Sequence, residues 1–488
     1  MKTSKNSEIV RLLEERRLQG DQVFKKASDL VGIKEIINTL PNELGVWLLI
    51  EHARNKKLHK SELIQLQEIS KNVGEEAVKG LQRAIAHNRL NFKEKIVFGN
   101  SAKFTDSHFT WKDICELINE DSLTYYPSVD LTIPSINVIH ADTPYHHEEQ
   151  KYTYKPSTLI ELNNVETTIE SDYLKTKNQI YLDNNSWPGA LNHNYVNDSR
   201  ILAISPTQVA LSLENGLSVE IPEAFWLGYP LLFAWGHWMY EGMMRLEVMA
   251  RHPRFGTAPI LVSSRVPNNF LDFAKTIFPN VQFKTFESST IIKATKLYVT
   301  PLRTFHAHNV YWSESGELDR LNGDPILASD FRARVTSRLG EIRKHQSVVE
   351  FPKSIFLARN LSNYRKSRVA PVLSDLAEKK NYFAIDPGSL TPVEQLSLFL
   401  NANQIMGQTG SGMYLTVLAE EGSKSLFVGS DFSHDWSGLA HAITETTNAK
   451  PGFILGSRDF IARGFSERLY HQDFELSLNA YSKLADLM

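Results

Sequence analysis

Three textures of apolar and polar residues follow one another along the chain. From residue 8 to about 95 the apolar positions recur at helical spacing, as in Val23, Phe24, Ala27, Leu30 and Val31 and again in Ala77, Val78, Leu81, Ala84 and Ile85. Pro41 and Asn42 punctuate this run before a third apolar helix, Leu44 to Ile50. From about 125 to 222, Pro127, Pro134, Pro144, Pro156 and Pro188 cut the chain into short β-forming pieces. One of them predicts a hairpin. Val209, Leu211 and Leu213 alternate with polar residues, Asn215-Gly216 supplies the turn, and Leu217, Val219 and Ile221 alternate back.

From residue 225 onward strands and helices alternate. Strands are predicted at Ala258–Ser263, Val281–Phe286 and Leu297–Thr300, with a helix at Asn268–Phe278. A charged helix spans Asp330–His345, and the pattern then restarts with strand Ser354–Ala358, helix Val369–Lys379 and strand Tyr382–Ile385. Thr391-Pro392-Val393-Glu394 opens a further helix with a capping box and proline at its first position, running to about Ala402. A short strand Gln404–Met406, a glycine loop, a helix to Glu421 and strand Ser425–Val428 complete it. Repeated β-α-β order implies parallel sheets covered by helices, and two such units in series place a cleft between them. No fixed-period repeat supports a solenoid.

Composition changes this picture little. The 488 residues suggest about three domains of ordinary globular make-up. A formal net charge of −3 argues against nucleic acid as a partner. The lone Cys115 excludes an internal disulfide and a multi-cysteine metal cluster, and suits a reducing compartment. Met1–Arg17 carry no apolar signal-peptide core. The aromatic run Phe225–Tyr240 falls short of the ~20 residues a membrane span needs, and reads as buried. The expected location is the cytoplasm.

Three segments suggest chemistry. Gly407-Gln408-Thr409-Gly410-Ser411-Gly412 joins a strand to a helix, where free N–H groups and the Thr409 and Ser411 hydroxyls suit an anion. The bland reading is a tight turn. Arg359, at a strand end, heads a run with Arg365, Lys366 and Arg368, whose guanidinium forks match a pyrophosphate; a solvated basic loop explains them too. In Trp235-Gly236-His237-Trp238-Met239-Tyr240-Glu241, His237 and Glu241 lie four apart, the spacing of a general base oriented by a carboxylate. A core histidine among aromatics is the alternative. Trp238, Arg245, Arg303 and His306 are candidates for the cleft wall or for ordinary core and loop positions. His146-His147-Glu148-Glu149 reads as a solvated loop, and Asp319 with Asp324 as no metal pair, so no metal ligand and no cofactor is assigned.

In this order the segments resemble glycosyltransferase family 61 over roughly residues 180 to 460. The resemblance rests on Gly236-His237-Trp238 with Glu241 and Arg245-Leu246, then Arg359 and Arg368. It continues through Leu390-Thr391-Pro392-Val393-Glu394-Gln395-Leu396 to Gly407-Gln408-Thr409-Gly410-Ser411-Gly412-Met413. It implies an α/β GT-B fold of two Rossmann-like domains, inversion at the sugar carbon and no metal. The donor is a nucleotide sugar, UDP-linked for preference and UDP-xylose or UDP-GlcNAc by example. Arg359, Arg368, Gln395, Thr409, Gly410, Ser411 and Gly412 become the donor site, with His237 and Glu241 catalytic. Two positions depart from the family pattern: Thr409 stands where a histidine is common, and Val369-Ala370-Pro371-Val372 where Asn-Glu often follows the second arginine.

The expected organisation is a helical domain at 1–100, a β-rich segment at 101–224, an acceptor-side Rossmann-like domain at 225–345 and a donor domain at 346–488. The N-terminal helices would serve self-association or docking. The acceptor would be a cell-surface glycan or lipid-linked precursor of a bacterial type, met at the inner face of the membrane with peripheral contact. A pyruvyltransferase or a non-catalytic nucleotide- or glycan-binding protein is the alternative.

Overall fold

A computed structural model describes residues 97–99, 108–118, 124–142, 149–154, 156–177, 179–183, 195–196, 198, 200–204, 208–211, 217–288, 290–301, 303, 305–306, 321–358, 369–430, 437–459 and 473–488. The expected N-terminal helices at 8–95, the His146–Glu148 run, Asp319, and Arg359 with Arg368 lie outside them.

Two large sheets, each with a parallel stretch, organise the molecule. In chain order their principal strands are β1 (Asn137–Ala141), β2 (Ile160–Thr168), β3 (Ser218–Trp226), β4 (Ile260–Ser263), β5 (Phe283–Phe286), β6 (Ile291–Val299), β7 (Ser354–Leu357), β8 (Phe383–Ile385), β9 (Gln404–Gln408), β10 (Lys424–Ser430) and β11 (Gly452–Asp459). The first sheet, of twelve strands, runs β2-β6-β3-β4-β5 at one end. There β3, β4, β5 and β6 are parallel, and β2 lies antiparallel against β6. The second, of seven strands, has the parallel order β8-β7-β9-β10-β11.

The β-rich region before residue 224 does not stand apart. Its strand β2 is built into the first sheet, and its strand β1 pairs in parallel with β11 of the second. Asp142, just after β1, accepts a 2.8 Å hydrogen bond from the backbone N–H of Ser477. The expected boundary at 224 is therefore a change of sequence texture across which strands share both sheets, and the helical block expected before residue 97 lies outside the described residues.

The predicted hairpin is a misreading. Gln208–Leu211 pairs with Ile201–Ile204 and with His108–Asp113, whereas β3 pairs with β4 and β6. The turn Asn215-Gly216 lies outside the described residues. β3 alternates only in its first half; from Ala224 through Leu227 every side chain is buried, as a central parallel strand requires. Local alternation could not reveal that its partner lies about 70 residues downstream.

The helices that flank these sheets include α1 (Asn268–Ile277), α2 (Pro325–Arg343), α3 (Val369–Lys379), α4 (Pro392–Asn401) and α5 (Ser437–Thr447). α2 starts five residues earlier than the charge pattern suggested, because Asp324 caps it, accepting from the N–H groups of Ile326 and Leu327. Buried Leu327, Ala328, Phe331, Val335 and Leu339 line one face of α2. Its arginines reach outward to both halves. Arg334 holds the buried Glu247 at 2.5 and 2.9 Å, Arg338 bonds the Thr276 carbonyl, and Arg332 bonds the Ala419 carbonyl. One continuous apolar core runs from the first sheet into the second, and another lies between the second sheet, α3 and the helix Leu478–Leu487. Among the described residues no helix is long and apolar enough to cross a membrane.

Candidate active site

The segment after β3 turns sharply at Leu231, which holds φ 64°, and enters one continuous helix. That helix is α over Trp235–His237, π over Trp238–Gly242 and α again over Met243–Met249. A π turn inserted in an α-helix is uncommon and recurs at functional sites. His237 and Glu241 sit across it. His237 Nδ1 lies 3.2 Å from Glu241 Oε1, with the histidine side chain 14% exposed and the glutamate 2%. The pair expected from spacing is therefore formed, one member reaching the surface and the other anchored in the interior.

The aromatic neighbours turn inward. Trp235 packs edge-on against Phe270 and Phe273 of α1. Trp238 is fully buried beside Phe270 and Phe283. Trp238 therefore belongs to the core and not to the cleft wall, since hydrophobic burial claims a side chain of this size first. Tyr240 stacks obliquely on Tyr414, with ring centroids 4.9 Å apart.

Tyr414 belongs to the glycine loop's helix. β9 ends at Gln408, the Thr409 N–H bonds the Val428 carbonyl, and a 3-10 helix runs from Ser411 to Leu418 with Gly410 as its cap. The Met413 N–H closes on the Gly410 carbonyl, while those of Ser411 and Gly412 have no partner among the described residues. A Cβ on Gly412 would meet nothing within 4 Å. The loop thus presents donors beside open space, as an anion needs. The expected α-helix to Glu421 is a shorter 3-10 segment.

Gly236 joins the two elements. A Cβ there would lie 2.9 Å from the Tyr414 ring and 3.4 Å from Ser411 Cβ. The glycine lets the backbone beside His237 pack directly on the glycine loop. The two segments, some 175 positions apart in sequence, form one wall.

Residues 235–426 match the family described as Glycosyltransferase 61. The chain is a glycosyltransferase. A comparison with curated proteins finds no match. The matched stretch opens at Trp235 and closes on β10, so it holds both elements that Gly236 brings together. β1 and β2 lie outside it.

The remaining residues expected at the site of this glycosyltransferase divide clearly. Arg245 is 3% exposed, its Nη2 3.3 Å from Asp183 and its Nε 3.3 Å from the Thr300 carbonyl, and its guanidinium lies 3.4 Å above the Tyr229 ring. Arg303 is tied to Asp324 and to the carbonyls of Tyr126 and Pro127. Both expectations of cleft-lining arginines are corrected: each cation is consumed by a buried carboxylate, the usual condition for burying a charge. His306 lies on a short strand, Phe305–His306, paired with Leu321–Asn322. Gln395 bonds the Leu390 carbonyl at the start of α4. Arg359 and Arg368 follow β7 and precede α3 in the sequence.

Sequence reading missed the acids behind Glu241. Asp172, Asp183 and Asp198 are buried, and Asp172 faces Asp198, Arg245, Asp183 and Glu241. Asp198 accepts from Ser171 Oγ and from the N–H groups of Asp172, Arg200 and Ile201. Burial pushes both Asp172 and Asp198 above the usual carboxylate range. Four donors favour the ionised form of Asp198, whereas Asp172 Oδ2 has no partner, so the proton belongs on Asp172. All three acids sit in irregular segments, where no periodicity marks them. Asp113, Cys115 and Asp183 also gather ligand-type atoms within 4.8 Å of one another. Two of them already have work, Asp183 on Arg245 and Asp113 in capping the turn Ile114–Leu117.

Proposed function

We propose that this glycosyltransferase is an inverting, metal-independent enzyme of GT-B architecture. It moves a sugar from a nucleotide sugar, UDP-linked for preference, to a cell-surface glycan or lipid-linked precursor at the cytoplasmic face of the membrane. The observation that carries the reading is the contact of Gly236 with Ser411 and Tyr414, which sets the His237–Glu241 pair against the glycine loop.

Inversion needs a base on the acceptor hydroxyl while that oxygen attacks the sugar carbon and the nucleoside diphosphate leaves from the opposite side. Glu241 beside Nδ1 favours the tautomer with its proton there, which frees Nε2 to take the acceptor proton. The departing diphosphate gains charge, which the free N–H groups of Ser411 and Gly412 and the guanidiniums of Arg359 and Arg368 would meet. Thr409 and Gly410 shape that loop, and Gln395 lies on the helix before it. The parallel stretches β6-β3-β4-β5 and β8-β7-β9-β10-β11, with the loop at the carboxyl end of β9, support the two-domain reading.

The test is transfer from radiolabelled UDP-sugars to membrane glycan extracts, with EDTA present. His237→Ala should lower turnover roughly 10²–10⁴-fold and leave UDP affinity by calorimetry unchanged. Near-normal turnover in His237→Ala removes the base assignment, lost UDP affinity reassigns His237 to the donor phosphate, and wild-type activity abolished by EDTA refutes metal independence.

A further inference from the structure

The last side chain of β9 is the carboxamide of Gln408, and among the described residues nothing donates to its oxygen. Gln408 is 6% exposed, and its Oε1 has no partner. Among the described side chains with such an atom, it is the one at a carboxyl end of a strand in the second sheet. Ligands of parallel α/β sheets collect at that edge.

Its direction follows from the strand's alternation. The Cβ that Gly407 lacks would point at Met413 Sδ, 2.7 Å away, and at Leu357 Cβ, 3.1 Å away. Gln408 projects to the opposite face, the one it shares with Met406. Met406 is fully buried there with Val428, Leu373 and Leu376 of α3, and Leu484. One step farther along this apolar face, where the core meets the strand ends, a leucine or methionine would satisfy every packing demand. A glutamine stands there instead, immediately before the loop whose Ser411 and Gly412 N–H groups are free.

A buried amide oxygen without a partner weakens the folded state unless water or a ligand supplies a donor, and at a strand's carboxyl end a ligand is within reach. The atom left over narrows that partner: Gln408 Oε1 is an acceptor, which matches groups that donate, such as ribose hydroxyls and the N–H groups of a base. We propose that Gln408 recognises the nucleoside moiety of the donor, accepting a hydrogen bond from its ribose or base while the adjoining loop holds the diphosphate. The inference rests on the reading of the glycine loop as the donor site.

Calorimetry of the full chain with UDP, CDP, GDP and ADP, joined to thermal melts, tests it. In Gln408→Met and Gln408→Leu the affinity for the nucleoside diphosphate bound best by wild type should fall about three- to tenfold, while the melting temperature stays level or rises. That pairing of weaker binding with an undiminished fold is what a purely structural amide cannot produce. Unchanged affinity in folded variants overturns the inference and leaves the donor site standing, and a lowered melting temperature in both variants makes the amide structural. A wild-type protein that binds none of the four overturns the donor-site reading itself, and this inference with it.

Discussion

At the scale of single residues, the site is set by which charges are already spent. Arginine at an expected cleft suggests a ligand's anion, yet Arg245 and Arg303 answer to Asp183 and Asp324 inside the protein. Residue type was legible there and burial was not, because the partner acids lie 62 and 21 positions away in irregular segments. His237 and Glu241 were legible because a helix converts a spacing of four directly into contact. Asp172 offers a pH test. A carboxyl with a raised pKa stabilises the fold fully below the ordinary carboxyl value of about 3.9 and loses that stability as pH rises through the raised value. Asp172→Asn, uncharged at every pH, should escape the loss. Its melting temperature should match wild type near the acid end and gain on it steadily with rising pH; parallel curves would show that Asp172 is not the protonated partner.

Among elements, the composite helix and the glycine loop depend on each other through the missing side chain of Gly236. Alanine there gains about 1 kcal/mol of helix propensity and meets the Tyr414 ring at a cost of about 1–3 kcal/mol. Stability should therefore change by less than about 2 kcal/mol. The displaced helix start should nonetheless move His237 away from the loop, and misplacement on the order of 1 Å lowers rates by roughly 10²-fold. Gly236→Ala with wild-type turnover would separate the two elements functionally. Elements with local signals were read well: α3 spans Val369–Lys379 as expected, and Thr391 with Glu394 forms the capping box. The hairpin failed because an alternating strand records which face is buried, while its pairing partner is chosen by the whole sheet.

Across the whole molecule, the segment that matches the family is not a unit that can be cut out. β2 completes the first sheet and β1 the second, and both come from the region before residue 170. A chain beginning at residue 225 would leave β6 and the first half of β11 with bare edges and would begin inside β3. It should aggregate or melt without a cooperative transition, in contrast to the full chain; a soluble, cooperatively melting product would mean the two early strands are accessories. This interleaving was invisible in the sequence, where a change of texture near 224 looks like a domain border.

The interleaving also sets a timetable for synthesis. Asp142 and Ser477, whose hydrogen bond fastens the end of β1 beside β11, are 335 positions apart. At about 5–20 residues per second a ribosome needs roughly 20–60 s to connect them. For all that time the β1 segment is without its neighbour, attached to a chain whose first sheet can assemble only once β6 has been made. Nascent molecules of this protein therefore pass through a long interval with the second sheet incomplete and one edge-forming segment waiting, the stage at which chaperones would have to act.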